Sequence, residues 1–237
     1  MENGLTTENG AKMKIRWIGQ SGYILTDKKT TIYIDPYLSD VVNRVAGRER
    51  MVETPVMPKN VETDMIICTH NHLDHLDTDA IAQMNKDKIL FLAPKDCENA
   101  LDNLGVKKYQ PFDIGDSLKV GGFELSAVYA NHTVPAIGVL VEYDGIRMYF
   151  TGDTYYDEKL TEVECDILFV CINGKLGNMN VGEAVVLTKK LKPKLGIPNH
   201  YGMFGSNTEN PLKYTDNVEC GFIMDFDREY EIKELIK

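Results

Sequence analysis

The sequence predicts a mixed α/β chain, with sheets packed on one another and helices covering their outer faces. Three observations carry that prediction. Short apolar or alternating runs of strand length recur, with helix-period segments between them. Their order is similar in two successive halves. No stretch is rich enough in Gly, Pro or Ser to act as a linker, so residues 13–237 read as a single domain behind a polar, disordered leader at 1–12.

The first half opens at residues 14–18, which alternate polar and apolar side chains as a half-buried strand does. Residues 23–25 and 31–34 give two more strands around the turn Asp27-Lys28-Lys29. The second of them ends in Asp35-Pro36, a carboxylate at a strand end followed by a residue that halts the ladder. Residues 39–60 carry Arg44, Arg48, Arg50 and two prolines, and read equally as a loop or as a flap beside a site. Residues 65–68 form a buried strand, and Asp77 caps a helix whose apolar face begins with Ala80, Ile81 and Met84. A strand at 89–92, a helix at 95–104 and short strands at Tyr109, 118–120 and 123–125 complete this half.

In the second half, strands at 136–143 and 146–150 flank Asp144-Gly145, a strong hairpin signal. Residues 166–171 are a buried strand. Asn180 and Glu183 have capping-box spacing and open a helix with Ala184, Leu187 and Leu191 on one face. A strand at 195–197 follows, and residues 219–225 and 229–232 close the chain.

Composition narrows the partners. The chain carries 26 basic against 36 acidic residues, net −10, without an arginine-rich stretch, which argues against a nucleic-acid module. Five cysteines show no CxxC pair, and Cys68, Cys165 and Cys171 lie in or beside apolar runs, as free thiols of a reducing cytoplasm do. No signal-peptide core and no apolar run of membrane-span length are visible. The expected partner is a small-molecule substrate, with homo-oligomerisation left open.

The chemistry concentrates in residues 69–77, where His70, His72, Asp74 and His75 form His-x-His-x-Asp-His. Imidazoles and a carboxylate suit zinc and neighbouring divalent metals. The motif sits on a loop between a strand and a helix, where side chains can converge. Residues i and i+2 of an extended stretch point the same way, so His70 and His72 can grip one metal while Asp74 and His75 face a second. His132, His200 and Asp153 each follow a strand-like segment. Taken singly, each is an ordinary polar residue. With the motif they complete two sets: His70, His72 and His132, then Asp74, His75 and His200, with Asp153 bridging. A second bridging position is left for water, and an open coordination site marks catalytic rather than structural metals.

This ordered set resembles the metallo-β-lactamase superfamily over nearly the whole chain from Met13. The resemblance implies a four-layer αββα sandwich with a dinuclear site at one edge of the two sheets, and it places Asp35 behind the ligands. His72 stands where diiron-oxygen members carry glutamate, which speaks for hydrolysis. A narrower similarity lies in Ile172-Asn173-Gly174, Gly177-Asn178-Met179-Asn180, Glu183-Ala184-Val185 and His200-Tyr201-Gly202-Met203-Phe204. These resemble the L-ascorbate-6-phosphate lactonase branch, although this chain is considerably shorter.

The implied activity is metal-dependent hydrolysis, lactonase-like, of a lactone or other ester of a small metabolite, phosphorylated or not. Two divalent ions, zinc foremost with manganese or iron as alternatives, would hold a hydroxide between them. Asp74 would orient it and shuttle its proton. Tyr201 and Asn173 are the candidate donors to the oxyanion. Lys175 and the arginines of 44–50 are the cations considered for a substrate phosphate, with solvated surface charge as the plainer reading. One alternative is a phosphodiesterase of the same fold; the opening Trp17-Ile18-Gly19 resembles a phospholipid-cleaving branch, without an amphipathic membrane face. The other is a non-catalytic metal-binding protein, against which the complete ligand set counts.

Overall fold

Residues 12–236 are described in the computed structural model, so the leader expected at 1–12 lies outside the described residues except for Lys12. The strands β1 (Lys14–Trp17), β2 (Tyr23–Thr26) and β3 (Thr31–Ile34) form an antiparallel meander. Helix α1 (Val41–Ala46) follows. Next come β4 (Met65–Ile67), α2 (Thr78–Gln83), β5 (Leu90–Ala93), α3 (Glu98–Asn103) and β6 (Tyr109–Pro111). Their strands add in parallel to β3.

The second sheet repeats the plan. β7 (Ser117–Val120), β8 (Phe123–Tyr129), β9 (Ile137–Tyr143) and β10 (Ile146–Phe150) run antiparallel in succession. β11 (Ile167–Cys171), α4 (Val181–Leu191) and β12 (Leu195–Asn199) extend it in parallel. After α5 (Leu212–Thr215), β13 (Glu229–Glu231) returns to pair with β1, and α6 (Ile232–Leu235) ends the described chain. The result is a seven-stranded sheet ordered β13-β1-β2-β3-β4-β5-β6 against a six-stranded sheet ordered β12-β11-β10-β9-β8-β7.

Strand alternation decides the layers. In β4, Met65 and Ile67 join the cluster between the sheets, whereas Ile66 points the other way and packs with Ala80, Ile81 and Leu101 of α2 and α3. Tyr23 of the first sheet meets Phe150 and Phe169 of the second at 5.1 and 4.9 Å between ring centroids. On the far side, Ala184, Val185 and Leu187 of α4 seal the second sheet. The expected α/β sandwich with outer helices is therefore present.

Four local expectations change. β7 and β8 belong to the second sheet rather than the first half, because β8 pairs with β9 from Phe123↔Tyr143 to Tyr129↔Ile137. That pairing carries the strand through Ser126 and Ala127, where the apolar pattern weakens. Residues 95–104 split into a 3-10 turn, Lys95–Cys97, and α3. Residues 39–60 contain α1 and a 3-10 turn at Pro58–Asn60. Residues 219–225 carry no strand, and Gly221 makes a single bridge to Gly196.

Two caps match their sequence signals. Asp77 accepts from Ala80 N at 2.9 Å, and Asn180 and Glu183 close a reciprocal capping box. Asp77 also accepts from the backbone N–H groups of Leu38 and Ser39, at 2.9 and 2.7 Å, tying the segment before α1 to the histidine loop.

The strand directions create the site. β1, β3 and β4 run one way in the first sheet, and β8, β10 and β12 run one way in the second. Their C-terminal ends carry Gln20, Asp35, the 69–77 loop, His132, Asp153 and His200.

Candidate metal centre

The 69–77 loop is held from beneath by Asp35, which is 1% exposed. Its carboxylate accepts from Thr69 N, Thr69 Oγ1 and His75 Nδ1, each at 2.7 Å. Asp35 sits at φ 44°, a left-handed conformation that aspartate tolerates better than most residues. Beyond His72 the chain turns, with His75 N and Leu76 N donating to His72 O at 3.0 and 2.8 Å. Asp74 and His75 then group with His200, while His70 and His72 group with His132.

The remaining donors arrive from the second sheet. His132 Nδ1 donates to Gly177 O at 3.1 Å, which leaves its Nε2 turned inward, 3.2 Å from His72 Nδ1. His70 Nε2 lies 2.9 Å from the same His72 nitrogen. Asp153 follows Gly152, whose φ is 60° and where a Cβ would stand 2.8 Å from Ile137 O. Glycine is required there. Asp153 faces His75 Nε2 at 3.2 Å and His200 Nε2 at 3.1 Å. Asp74 Oδ2 is 3.5 Å from His200 Nε2.

The structure thus brings seven donors together in two adjoining groups. His70, His72, His132 and Asp153 form one, and Asp74, His75 and His200 the other, with ligand atoms inside each group within 4.8 Å of one another. Burial holds His70, His72 and His132 below the usual imidazole range, so they are neutral with free lone pairs. Burial acts the same way on His75 and His200, yet carboxylates override it. Asp153, Asp35 and Asp74 hold His75 well above its ordinary value, and Asp153 with Asp74 takes His200 up to about 9. For Asp74 and Asp153 burial works upward, but the two imidazoliums keep both carboxylates ionised.

This is a field that demands positive charge. His75 Nε2 and Asp153 Oδ1 are fully buried and face each other at 3.2 Å, imidazolium against carboxylate. Five imidazoles and two carboxylates gathered in two adjoining groups are the donor set that a divalent metal takes. The residues present fit divalent metal.

The other expected residues have contacts of their own. Tyr201 packs on Trp17, 5.0 Å between ring centroids, and burial pushes its hydroxyl well up, with Asp225 and Tyr230 as its charged and polar surroundings. Asn173 donates its amide to Asn207 O. Arg44 makes a fork to Asp79 at 2.9 and 2.7 Å, and Lys175 donates to Thr208 O at 3.1 Å. Arg50 donates to the carbonyls of Tyr37 and Ser39 and lies over the Tyr37 ring. The 39–60 segment is a packed rim, since Val41, Val42 and Val52 cluster with Phe204 and with Leu73 of the histidine loop.

One residue is absent from the sequence reading. Gln20, at φ 51° and 1% exposed, donates Nε2 to Asp74 Oδ2 at 2.8 Å and lies 3.1 Å from His200 Nε2. Its carbonyl accepts from His200 N and Trp17 Nε1. The available signal was a polar residue inside the glycine-bounded turn Gly19-Gln20-Ser21-Gly22.

Comparison with known proteins agrees with this geometry. The family model for the Beta-lactamase superfamily domain matches residues 30–201, a span that contains all seven donors. The UPF0173 metal-dependent hydrolase of Saccharolobus solfataricus is 31% identical over 205 residues, covering 79% of this chain and 84% of that protein. The UPF0173 metal-dependent hydrolase of Archaeoglobus fulgidus is 29% identical over 230 residues, covering 88% and 91%. The structure of Igni18, a metallo hydrolase of Ignicoccus hospitalis, shares the fold with a TM-score of 0.75 at 21% identity, over 92% of this chain and 97% of that one. The chain belongs to the beta-lactamase superfamily and, within it, to the UPF0173 metal-dependent hydrolases.

Proposed function

We propose that this protein hydrolyses a lactone or other ester of a small metabolite. Two divalent cations would be held by His70, His72 and His132 and by Asp74, His75 and His200, with Asp153 shared between them. The observation that carries this reading is the convergence of seven donors, five imidazoles and two carboxylates, in two adjoining groups. When bound, such ions supply Lewis acidity toward the ester carbonyl and toward water.

The chain's own residues do the rest. Asp35 keeps the proton of His75 on Nδ1, so the lone pair of Nε2 faces the centre. Gly177 O does the same for His132. Asp74 is the proton acceptor for the attacking water, since its side chain is 17% exposed, ionised, and fixed by Gln20 at 2.8 Å. Tyr201 and Asn173, engaged elsewhere, receive no role in this scheme.

The test is elemental analysis of the reconstituted protein, combined with a panel of lactones, phosphodiesters and thioesters. Two metals per chain with turnover of lactones or simple esters is the expected result. One metal or none overturns the dinuclear assignment. Turnover confined to phosphodiesters replaces the substrate class, and silence across the panel favours a binding protein.

A further inference from the structure

We infer that Thr154 is a positioning residue for His132: its hydroxyl fixes the loop that carries this ligand against the segment that carries Asp153. The inference rests on the two-metal reading and deepens it. Strands β8 and β10, whose ends deliver His132 and Asp153, are separated in the sheet by β9. Ladder hydrogen bonds join adjacent strands only, so the spacing between these two ligands needs another source.

Thr154 supplies it. The residue is fully buried, and its Oγ1 accepts from Asn131 N, one position before His132, at 2.9 Å. Asn131 O accepts in turn from Tyr155 N at 2.7 Å, so the two segments are clasped by a pair of bonds in opposite directions. Oγ1 donates its own proton to Tyr155 O at 2.9 Å, which leaves its lone pairs for Asn131. The segment before Asp153 is tied down as well. Thr151 N donates to Phe169 O at 3.0 Å, and Cys171 N donates to Thr151 Oγ1 at 3.2 Å, both on the neighbouring β11.

The ring of His132 is held from the same residue. Thr154 O accepts from Met179 N at 2.8 Å and from Cys171 Sγ at 3.6 Å. In the loop leading to Met179, Gly177 O accepts from His132 Nδ1 at 3.1 Å. A Cβ on Gly177 would stand 3.5 Å from His132 Cε1, so this loop lies against the ring. The main chain of Thr154 thus anchors the loop that takes the ring proton, and its side chain anchors the backbone that carries the ring. Valine resembles threonine in shape and brings no acceptor. Such a substitution removes the second anchor and keeps the first, so ring and carbonyl lose their register.

The experiment compares wild type, Thr154→Val, Thr154→Ala and Thr154→Ser as full chains with ring-15N-labelled histidine. In metal-free protein the 15N spectrum reads the His132 tautomer, which the bond to Gly177 O holds with the proton on Nδ1. Zinc is then titrated against a chelator, with the ring signals of His132 and His200 reporting the two donor groups separately. In the valine and alanine variants the expected result is a mixture of tautomers, with zinc affinity about 10–100-fold lower at the His132 group. Affinity at the His200 group should stay within about threefold of wild type, and Thr154→Ser should stay within that range at both. Equal weakening at both groups overturns the inference, because a general loss of packing would do that. So does a serine variant as weak as alanine, or a valine variant with unchanged tautomer and affinity. Should valine not fold, alanine against serine makes the same comparison. Wild type that binds one zinc or none would sink the two-metal reading, and the metal-free tautomer would still decide the role of Thr154. A pure Nδ1–H form without the hydroxyl refutes that role, and a mixture upholds it.

Discussion

Replacing Asp35 by Asn tests how the centre is held without touching a proposed ligand. The carboxylate accepts three hydrogen bonds of 2.7 Å, from Thr69 N, Thr69 Oγ1 and His75 Nδ1. A carboxamide has one oxygen and can still serve Thr69, but it presents an NH2 group to His75. Nδ1 must then accept, and the ring proton moves to Nε2, the atom aimed at Asp153. A protonated Nε2 cannot ligate. Asn tolerates the left-handed φ of 44° as well as Asp does, so backbone strain does not confuse the result. Loss of one charge-assisted bond is worth about 1.5–3 kcal/mol, and removing such a supporting partner typically lowers metal affinity about 10–100-fold. Competition with a chromophoric chelator measures the affinity, and the 15N spectrum of the His75 ring reports the tautomer. Affinity within threefold of wild type, with the proton still on Nδ1, would refute the reasoning.

Asp74→Asn should keep the fold by circular dichroism and lower turnover by about 10²–10⁴, roughly 3–5 kcal/mol of barrier. Unchanged turnover in a variant carrying both metals removes the role given to Asp74. Gln20→Asn shortens the donor that holds Asp74 at 2.8 Å while tolerating φ 51°, and should reduce kcat with little change in KM. An equal loss in both would assign Gln20 to substrate binding. In metal-free protein His75 and His200 titrate above the ordinary imidazole value, so their contribution to stability is complete below pH 6.5. It is lost as pH rises through about 9 for His200, and a urea midpoint that stays level from pH 6.5 to 9 would contradict this. Phe169→Ala removes a ring stacked on Phe150 at 4.2 Å and pressed on Tyr23, and should cost about 3–5 kcal/mol in denaturant unfolding.

The fold was legible wherever burial is written locally. β1, β3, β4, β10 and β11 each show their alternation or apolar run, and Asp77 and Asn180 announce their helices. What stayed hidden depends on distant partners. β8 takes its length and its sheet from β9, across a loop, and β13 finds β1 from the far end of the chain. Helix α1 has six residues and no side-chain cap, and Val41 and Val42 hold it by packing with Met203 and Phe204. A six-residue segment of mixed composition gives no local hint of that contact.

The site divides along the same line. His-x-His-x-Asp-His is read from spacing because a single turn places its members, and the scarcity of histidine makes His132 and His200 conspicuous. Gln20 is neither scarce nor a usual ligand type. It enters because the β1–β2 turn meets the residue after β12, with His200 N bonded to Gln20 O at 3.1 Å. Tyr201 follows His200, which adopts φ 60°, and its ring packs on Trp17 at 5.0 Å between centroids. Six strand ends that point the same way deliver the cluster and its supports, and neighbours of those residues join only when the local backbone turns them inward.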